Sequence, residues 1–471
     1  MDRPRTLWTF VITSLALFMV VLDNLVVSTA LPVIRTDLGA SLEELEWTVN
    51  AYTLTFAVFL LTGAALGDRF GRRRVFAAGL TLFTAASAAA ALAPSMDALI
   101  VARAIQGIGG AIVTPLTLTI LSEAFPKEKR GLALGAWSGI AGLAVASGPL
   151  VGGAVVDGIS WQWIFWLNVP IGILLVPLAY GFLRETCGPA SRLDLPGLAL
   201  ASGGLLGLVW GLIHGNGDGW TSPQILGSLV LGAILLAGFV AWELRTPAPM
   251  LPMRFFRNRA FATANAVSLL MYFGMFGSIF LLSQFLQVVM GYSAASAGIR
   301  TLPWTGMPLL ISPVAGPLAE RIGARPLLAV GLAMQAVGLA WMAVIVAPDV
   351  PYIELVPPFV IMGVGMSLFF APVALLVLNS VRPEEEGQAS GANNAIRELG
   401  GVFGVAVLAT IFASVGSYRS PQEFTDGLVP ATWVGAAVVA VGALIALAVP
   451  PLHRVGPRGS PAPIREAAPS P

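Results

Sequence analysis

Apolar residues run through this chain in stretches of about 20, each closed by a short polar or charged break, and the pattern recurs from end to end. A helix of that length is roughly 30 Å long, the thickness of the hydrocarbon core of a bilayer. Fourteen such runs are expected to cross the membrane. The first seven occupy 8–33, 47–67, 75–95, 97–119, 134–157, 163–183 and 194–214. The others occupy 224–243, 261–284, 297–319, 326–347, 354–380, 388–413 and 431–450. The first run follows Arg3 and Arg5, but it is too long for a cleaved secretory signal, carries Asp23 and leads into another span, so it is expected to be retained.

Composition agrees with the pattern. Of the 471 residues 56% are hydrophobic and 11% charged, and the mean hydropathy is +0.82. These values exclude a soluble chain of two to four domains. A net charge of +1, built from sparse charges of both signs, gives no basic stripe, so nucleic acid is not expected as a partner. One cysteine, Cys187, forms neither an internal disulfide nor a zinc site. The only lysines, Lys127 and Lys129, sit in no phosphate-binding loop, so no ATP site is expected. His214 and His453 stand far apart, which excludes a histidine triad or a helical zinc motif. An enzyme is therefore not expected, and neither a cofactor nor a metal is implied.

Lysine and arginine fix the orientation, because short cytoplasmic loops hold an excess of them. With a cytoplasmic N-terminus, 21 fall on the inner side, and only Arg35, Arg300 and Arg419 fall outside. Both termini are thus expected in the cytoplasm of a multi-pass inner-membrane protein. Arg103 and Arg397 remain inside spans. An internal repeat accompanies this layout: GAALGDRFGRRR at Gly63 to Arg74 returns as GPLAERIGAR at Gly316 to Arg325, with Asp68 matched by Glu320. Duplicated bundles place substrate sites between their halves. The expected division is 1–185 as an N-terminal six-helix bundle, 186–259 as two inserted spans with a linker, 260–452 as a C-terminal six-helix bundle and 453–471 as a disordered tail.

Several ordered motifs resemble the fourteen-helix drug:proton antiporters of the major facilitator superfamily. LDNLVVSTALP at Leu22 to Pro32 is similar to the first-helix signature, with Leu25 and Ser28 in place of the usual Thr and Asn. The loop ending GDRFGRRR, RAIQGIGGAIVTP from Arg103, SGPLVGGA from Ser147 and WQWIFWLNVPIG from Trp161 follow in family order. Three departures stand out: Gly63 lies one place early, Gln162 replaces an Arg, and Glu398 follows Arg397 where Gln is common. The resemblance implies an all-α membrane protein of two six-helix bundles plus two central helices. It also implies export, driven by protons, of an amphipathic drug, dye or antibiotic, with a monomer in the lipid bilayer as the working unit. Other readings are a dedicated exporter or an importer of one metabolite, and, from a different class, a polytopic membrane enzyme or a sensor. The last two lack clustered acids or histidines at one membrane face and a sizeable soluble domain.

Individual residues then acquire expected roles. Asp23 lies among Val20, Val21, Leu22 and Leu25, where a bare carboxylate costs several kcal/mol, so it is the expected proton carrier. The alternative is a structural Asp that fastens its helix to a neighbour. Arg103 lies at a depth where it must face protein or water, and Gln106 shares its helix face. The resemblance implies a part for Arg103 in proton transfer or in steadying the acid; a fixed ion pair is the alternative. Gly148, Pro149, Gly152 and Gly153 allow close helix approach and a bend. They read either as a packing seam or, by resemblance, as a seal against leak. Asp68, Arg69, Gly71 and Arg72 with Glu320 and Arg321 are expected to form a cytoplasmic gate closed by ion pairs between halves, or to serve orientation alone. Arg397, which resembles a family feature, supports coupling or merely snorkels. Phe276, Trp304, Gln284 and Gln287 are candidates for a greasy substrate cavity, core packing being the alternative.

Overall fold

The computed structural model describes residues 3–188, 193–382 and 385–450. Among them there are helices, turns and connecting segments, and no strands. The first group of helices is α1 (Arg3–Leu38), α2 (Leu42–Phe70), α3 (Arg72–Ala91), α4 (Met96–Ala124), α5 (Lys127–Gly158), α6 (Trp163–Trp166) and α7 (Asn168–Phe182). A pair follows, α8 (Leu195–Asp218) and α9 (Pro223–Glu243). The last group is α10 (Arg259–Gln284), α11 (Ala294–Thr305), α12 (Met307–Ile322), α13 (Ala324–Ile345), α14 (Tyr352–Leu378), α15 (Glu386–Val415) and α16 (Pro421–Leu447). The expected tail, 453–471, lies outside the described residues.

Local chemistry sets the helix ends. Ser41 and Glu44 form a reciprocal capping box at the start of α2, while Ser95, Asp194, Ser222, Ser293 and Ser420 each accept a backbone N–H at a helix start. The internal repeat reappears in the backbone. Gly71 turns α2 into α3 at φ +103°, and Gly323 turns α12 into α13 at φ +89°; a side chain at either position is strained. Asp68 and Glu320 each stand three residues before that turn.

Among the described residues, thirteen helical stretches are long and apolar enough to cross a membrane, α6 and α7 counting together as Trp163–Phe182. The expected span at 297–319 is the one that differs. It is broken into α11 and α12 at Gly306, each too short alone, because Pro303, Pro308 and Pro313 withhold amide donors from the helical ladder. The two pieces follow one another over Ala294–Ile322, where the fourteenth crossing is expected.

Within the first group, α4 packs on α2 and α3, and α1 packs on α5; within the last, α10 packs on α15 and α16, and α13 on α14 and α16. The pair α8–α9 packs on itself and touches α2 and α15 through α8. Leu226, Val230, Leu231 and Ile234 of α9 are exposed, as side chains that face lipid should be. The two groups meet along α5 with α11, α2 with α15 and α1 with α10.

Candidate functional site

Asp23 lies about 30 Å along α1 from its start, at 1.5 Å per residue, near the middle of the bundle. Its side chain is fully buried and paired with Arg103 of α4, whose side chain is equally sealed. Arg103 Nη1 donates to Asp23 Oδ2 at 2.6 Å and to Gln106 Oε1 at 2.7 Å. The other carboxylate oxygen, Oδ1, accepts from Gln106 Nε2 at 2.8 Å and from Asn168 Nδ2 at 2.6 Å. Ser87 Oγ of α3 in turn accepts from Gln106 Nε2 at 2.8 Å. Four side chains from α3, α4 and α7 thus close around one carboxylate of α1.

Arg103 has anchors beyond that acid. Its Nε donates to the Thr48 carbonyl of α2 at 3.2 Å, and its guanidinium lies over the Tyr52 ring at 4.2 Å. Such a ring contact is attractive and strengthens when desolvated. Neutralising Asp23 would therefore leave Arg103 tied to α2 and to Gln106. That gives the acid a chemical option beyond a permanent clamp: it can take a proton while its partner keeps a place to sit. A buried ion pair adds little net stability over apolar packing, yet removing one member is expensive.

The glycine motif of α5 makes contact in two directions. A Cβ at Gly148 would strike the Leu25 side chain of α1, and one at Gly152 would strike Thr29 Oγ1 and the Val26 backbone. Gly153 instead faces the Ala294 and Ala295 backbone of α11, and Gly298 of α11 faces the Pro149 backbone. Asp157, one turn beyond, accepts the N–H groups of Ala294 at 3.1 Å and Ala295 at 2.8 Å. The two groups of helices are therefore locked backbone to backbone at this end.

Further bonds cross at the same end. Ser283 Oγ donates to the Ser28 carbonyl at 2.8 Å, and Gln287 Nε2 donates to the Thr29 carbonyl at 3.0 Å. Gln287 thus joins the halves, while Gln284 is buried and bonded to the Phe280 carbonyl and the Tyr418 hydroxyl. Neither faces an open cavity. Trp304 is buried, stacks on Phe359 and lines a small cavity between the halves of about 20 Å³, together with Leu25, Ser28 and Thr301. That volume holds about one water. Phe276 stacks on Tyr272 at 5.5 Å and packs over Gly401.

At the opposite end, which carries the charged loops, α5 is loosely packed, while Gly391 of α15 still approaches the Leu61 side chain of α2. Open space lies beside Gly135 and Gly139 of α5, and a Cβ at Gly142 would only just reach Leu309, at 4.0 Å. The ion pairs described here lie within one half. Asp68 accepts from Arg72 Nη2 at 2.7 Å, Arg72 also pairs with Glu123 of α4, and the Glu123 carboxylate accepts from the Thr186 hydroxyl. Arg73 and Arg74 pair with Glu185. All of these lie in the first group of helices and its trailing segment. Arg69 is exposed near Phe70, Arg321 is exposed, and the Glu320 side chain lies outside the described residues. In the other half Glu385 joins Arg254 at 2.7 Å and Arg382 at 3.0 Å, and hydrogen bonds from Arg382, aided by the Arg254 charge, hold its carboxyl below the ordinary range.

The other intramembrane arginine, Arg397 of α15, is half-buried, with its guanidinium over the Tyr272 ring at 4.9 Å. Beside it Glu398 has a buried oxygen, Oε2, without a hydrogen-bond partner. Glu46 of α2 is 2% exposed, likewise with Oε2 unpartnered. Sequence reasoning noted Glu398 only as a departure and missed Glu46, Ser87, Tyr52 and Asn168. Asn168 stood inside a quoted motif, and Ser87 is the one polar residue in an alanine run.

Residues 13–405, and again 267–469, match the Major Facilitator Superfamily. The chain is 36% identical over 416 residues to the Multidrug resistance protein Stp of Mycobacterium tuberculosis, covering 88% of this chain and 77% of that protein. It is 34% identical over 453 residues to the Tetracenomycin C resistance and export protein of Streptomyces glaucescens, covering 95% and 84%. Among solved structures it is similar in fold to a bacterial homolog of the human lysosomal transporter Spinster, inward-facing and unoccupied. There the TM-score is 0.67 and the identity 16%, with 95% of this chain and 98% of that one covered.

Proposed function

We propose that this chain, which belongs to the Major Facilitator Superfamily and is a membrane transporter rather than an enzyme, exports amphipathic organic compounds in exchange for protons. The moving units are 1–185 and 260–452, which rock about their interface, with 186–259 riding at the side. Both termini face the cytoplasm of the inner membrane, so the end with the charged loops opens inward and the end locked by Asp157 and Gly153 is the outer closure. Drugs, dyes and antibiotics are the cargo class, and the names of the two relatives support it.

The observation that carries the coupling is the sealed Asp23–Arg103 pair with its alternative anchors. A proton on Asp23 cancels the attraction that ties α1 to α4, while Thr48, Gln106 and Tyr52 retain Arg103. The latch between helices then slackens without stranding a bare arginine. Inward movement of a proton supplies about 2.3 kcal/mol per 100 mV of membrane potential, and the pH gradient adds to it. Gly148, Pro149, Gly152 and Gly153 keep the outer end tight while the inner end is open. Asp68, Arg69, Gly71, Arg72, Glu320 and Arg321 act at the inner end, Arg397 supports coupling from the other half, and Phe276 and Trp304 contribute apolar wall.

Inverted vesicles loaded with a panel of lipophilic cations and antibiotics test this. Transport of at least one compound, abolished by a protonophore, is the expected result; transport that persists after uncoupling contradicts the proton scheme. A second reading, an exporter dedicated to one compound, is favoured by the relative named for tetracenomycin C alone. The same panel decides it, since a dedicated exporter moves one scaffold and ignores the rest.

A further inference from the structure

A cavity of about 200 Å³ opens between the charged ends of α1, α4 and α7, far from the Asp23 cluster. Arg5, Thr6 and Thr9 of α1, Glu123 of α4, and Arg184 and Thr186 beyond α7 form its polar wall. Arg5 and Arg184 are exposed, and neither makes an ion pair among the described residues. The one carboxylate on the wall is already occupied, Glu123 being paired with Arg72 and accepting from Thr186. Two uncompensated guanidinium groups therefore face one small space. Arginine's planar fork matches phosphate oxygens.

The rim beside this space is apolar. Trp8 stacks on Phe182 at 5.0 Å, and Leu7 and Trp8 are 62% and 38% exposed. Tryptophan at such a level marks the membrane–water boundary, and cytoplasmic-side basic pockets attract anionic headgroups. An anion with an oily tail fits that layout better than a free ion does, because one part meets arginine and the other meets Leu7, Trp8 and Phe182. We propose that this cavity binds the phosphate of an anionic phospholipid from the adjoining leaflet. The three helices it joins are those that supply Asp23, Arg103 with Gln106, and Asn168, so a bound headgroup ties together the ends of the helices whose middles form the proton site.

Native mass spectrometry of the purified full chain, titrated with phosphatidylglycerol or with phosphatidylcholine of the same acyl chains, tests the site without any reading of transport. Wild type should retain one phosphatidylglycerol in preference to phosphatidylcholine. Arg5→Gln/Arg184→Gln should weaken that first binding step about 30-fold, the loss expected of two arginines at a charged membrane surface, and leave phosphatidylcholine unchanged. Arg5→Lys/Arg184→Lys should recover most of it. Equal binding of both lipids by wild type, an unaltered Gln variant, or displacement of the lipid by inorganic phosphate at equal concentration would overturn the proposal. The wild-type competition stands even if a variant folds poorly.

Discussion

The two halves of the molecule each place an arginine and an acid within their helices, and they hydrogen-bond the acid differently. In the first half both Asp23 oxygens accept hydrogen bonds from named donors, and of the pair only Arg103 Nη2 lacks a hydrogen-bond partner. In the second, Arg397 rests on a tyrosine ring, its Nε and one Glu398 oxygen have no partner, and Asn393 spends its amide on Asn265 and Ser268. A satisfied network rigidifies a core, whereas an unsatisfied buried charge is costly and awaits something. The comparison teaches that the acid of the first half has both oxygens hydrogen-bonded, whereas that of the second keeps a buried oxygen without a partner.

The largest expected effect comes from Asp23→Asn. It keeps an acceptor for Gln106 and Asn168 but removes the titrating group, so proton-driven efflux in inverted vesicles should fall about 100-fold or more, with protein still present in the membrane. Full activity of that variant would make Asp23 a clamp and erase the distinction between the halves. Next comes Gly153→Leu, whose side chain meets the α11 backbone. Overpacking there should prevent outer closure and cut transport about tenfold or more, while a cysteine reporter placed near Asp157 becomes reactive from outside. Gly148→Leu should act in the same direction, with a smaller effect, because Leu25 can shift.

Arg103→Lys keeps the charge and loses the fork that reaches Asp23, Gln106 and Thr48 together. Efflux should drop about tenfold, and retained coupling would assign the residue's role to charge alone. The smallest change is expected from Glu398→Gln, about two- to threefold. Measured across external pH, it should alter the profile in a way that Arg397→Gln does not. An effect as large as that of Asp23→Asn would move the principal acid into the second half.

Much of this was legible in the sequence for a simple reason: charge is rare where the surroundings are oil. Asp23, Arg103 and Arg397 stood out at once, and helical spacing put Gln106 beside Arg103. The glycine motif was visible too, although its two-way packing, α1 on one face and α11 on the other, requires knowing which helices cross there. Ser87 and Asn168 stayed hidden because small neutral polar residues are common in membrane helices and spacing within one helix does not say what faces them. Asp68 and Glu320 are a different case: their repeat is real in the backbone turns at Gly71 and Gly323, and Asp68 binds Arg72 in its own half, while the Glu320 side chain lies outside the described residues. The break at Gly306 was hidden by the same apolarity that reveals a span.

Proton release on cargo binding probes the central claim most directly. Purified protein in weakly buffered detergent, mixed with a compound shown to be transported, should release about one proton per molecule bound, with occupancy read separately by fluorescence. Asp23→Asn should bind the compound and release none. If that variant binds and still releases the same number of protons, the carrier is another group and the Asp23–Arg103 pair is structural.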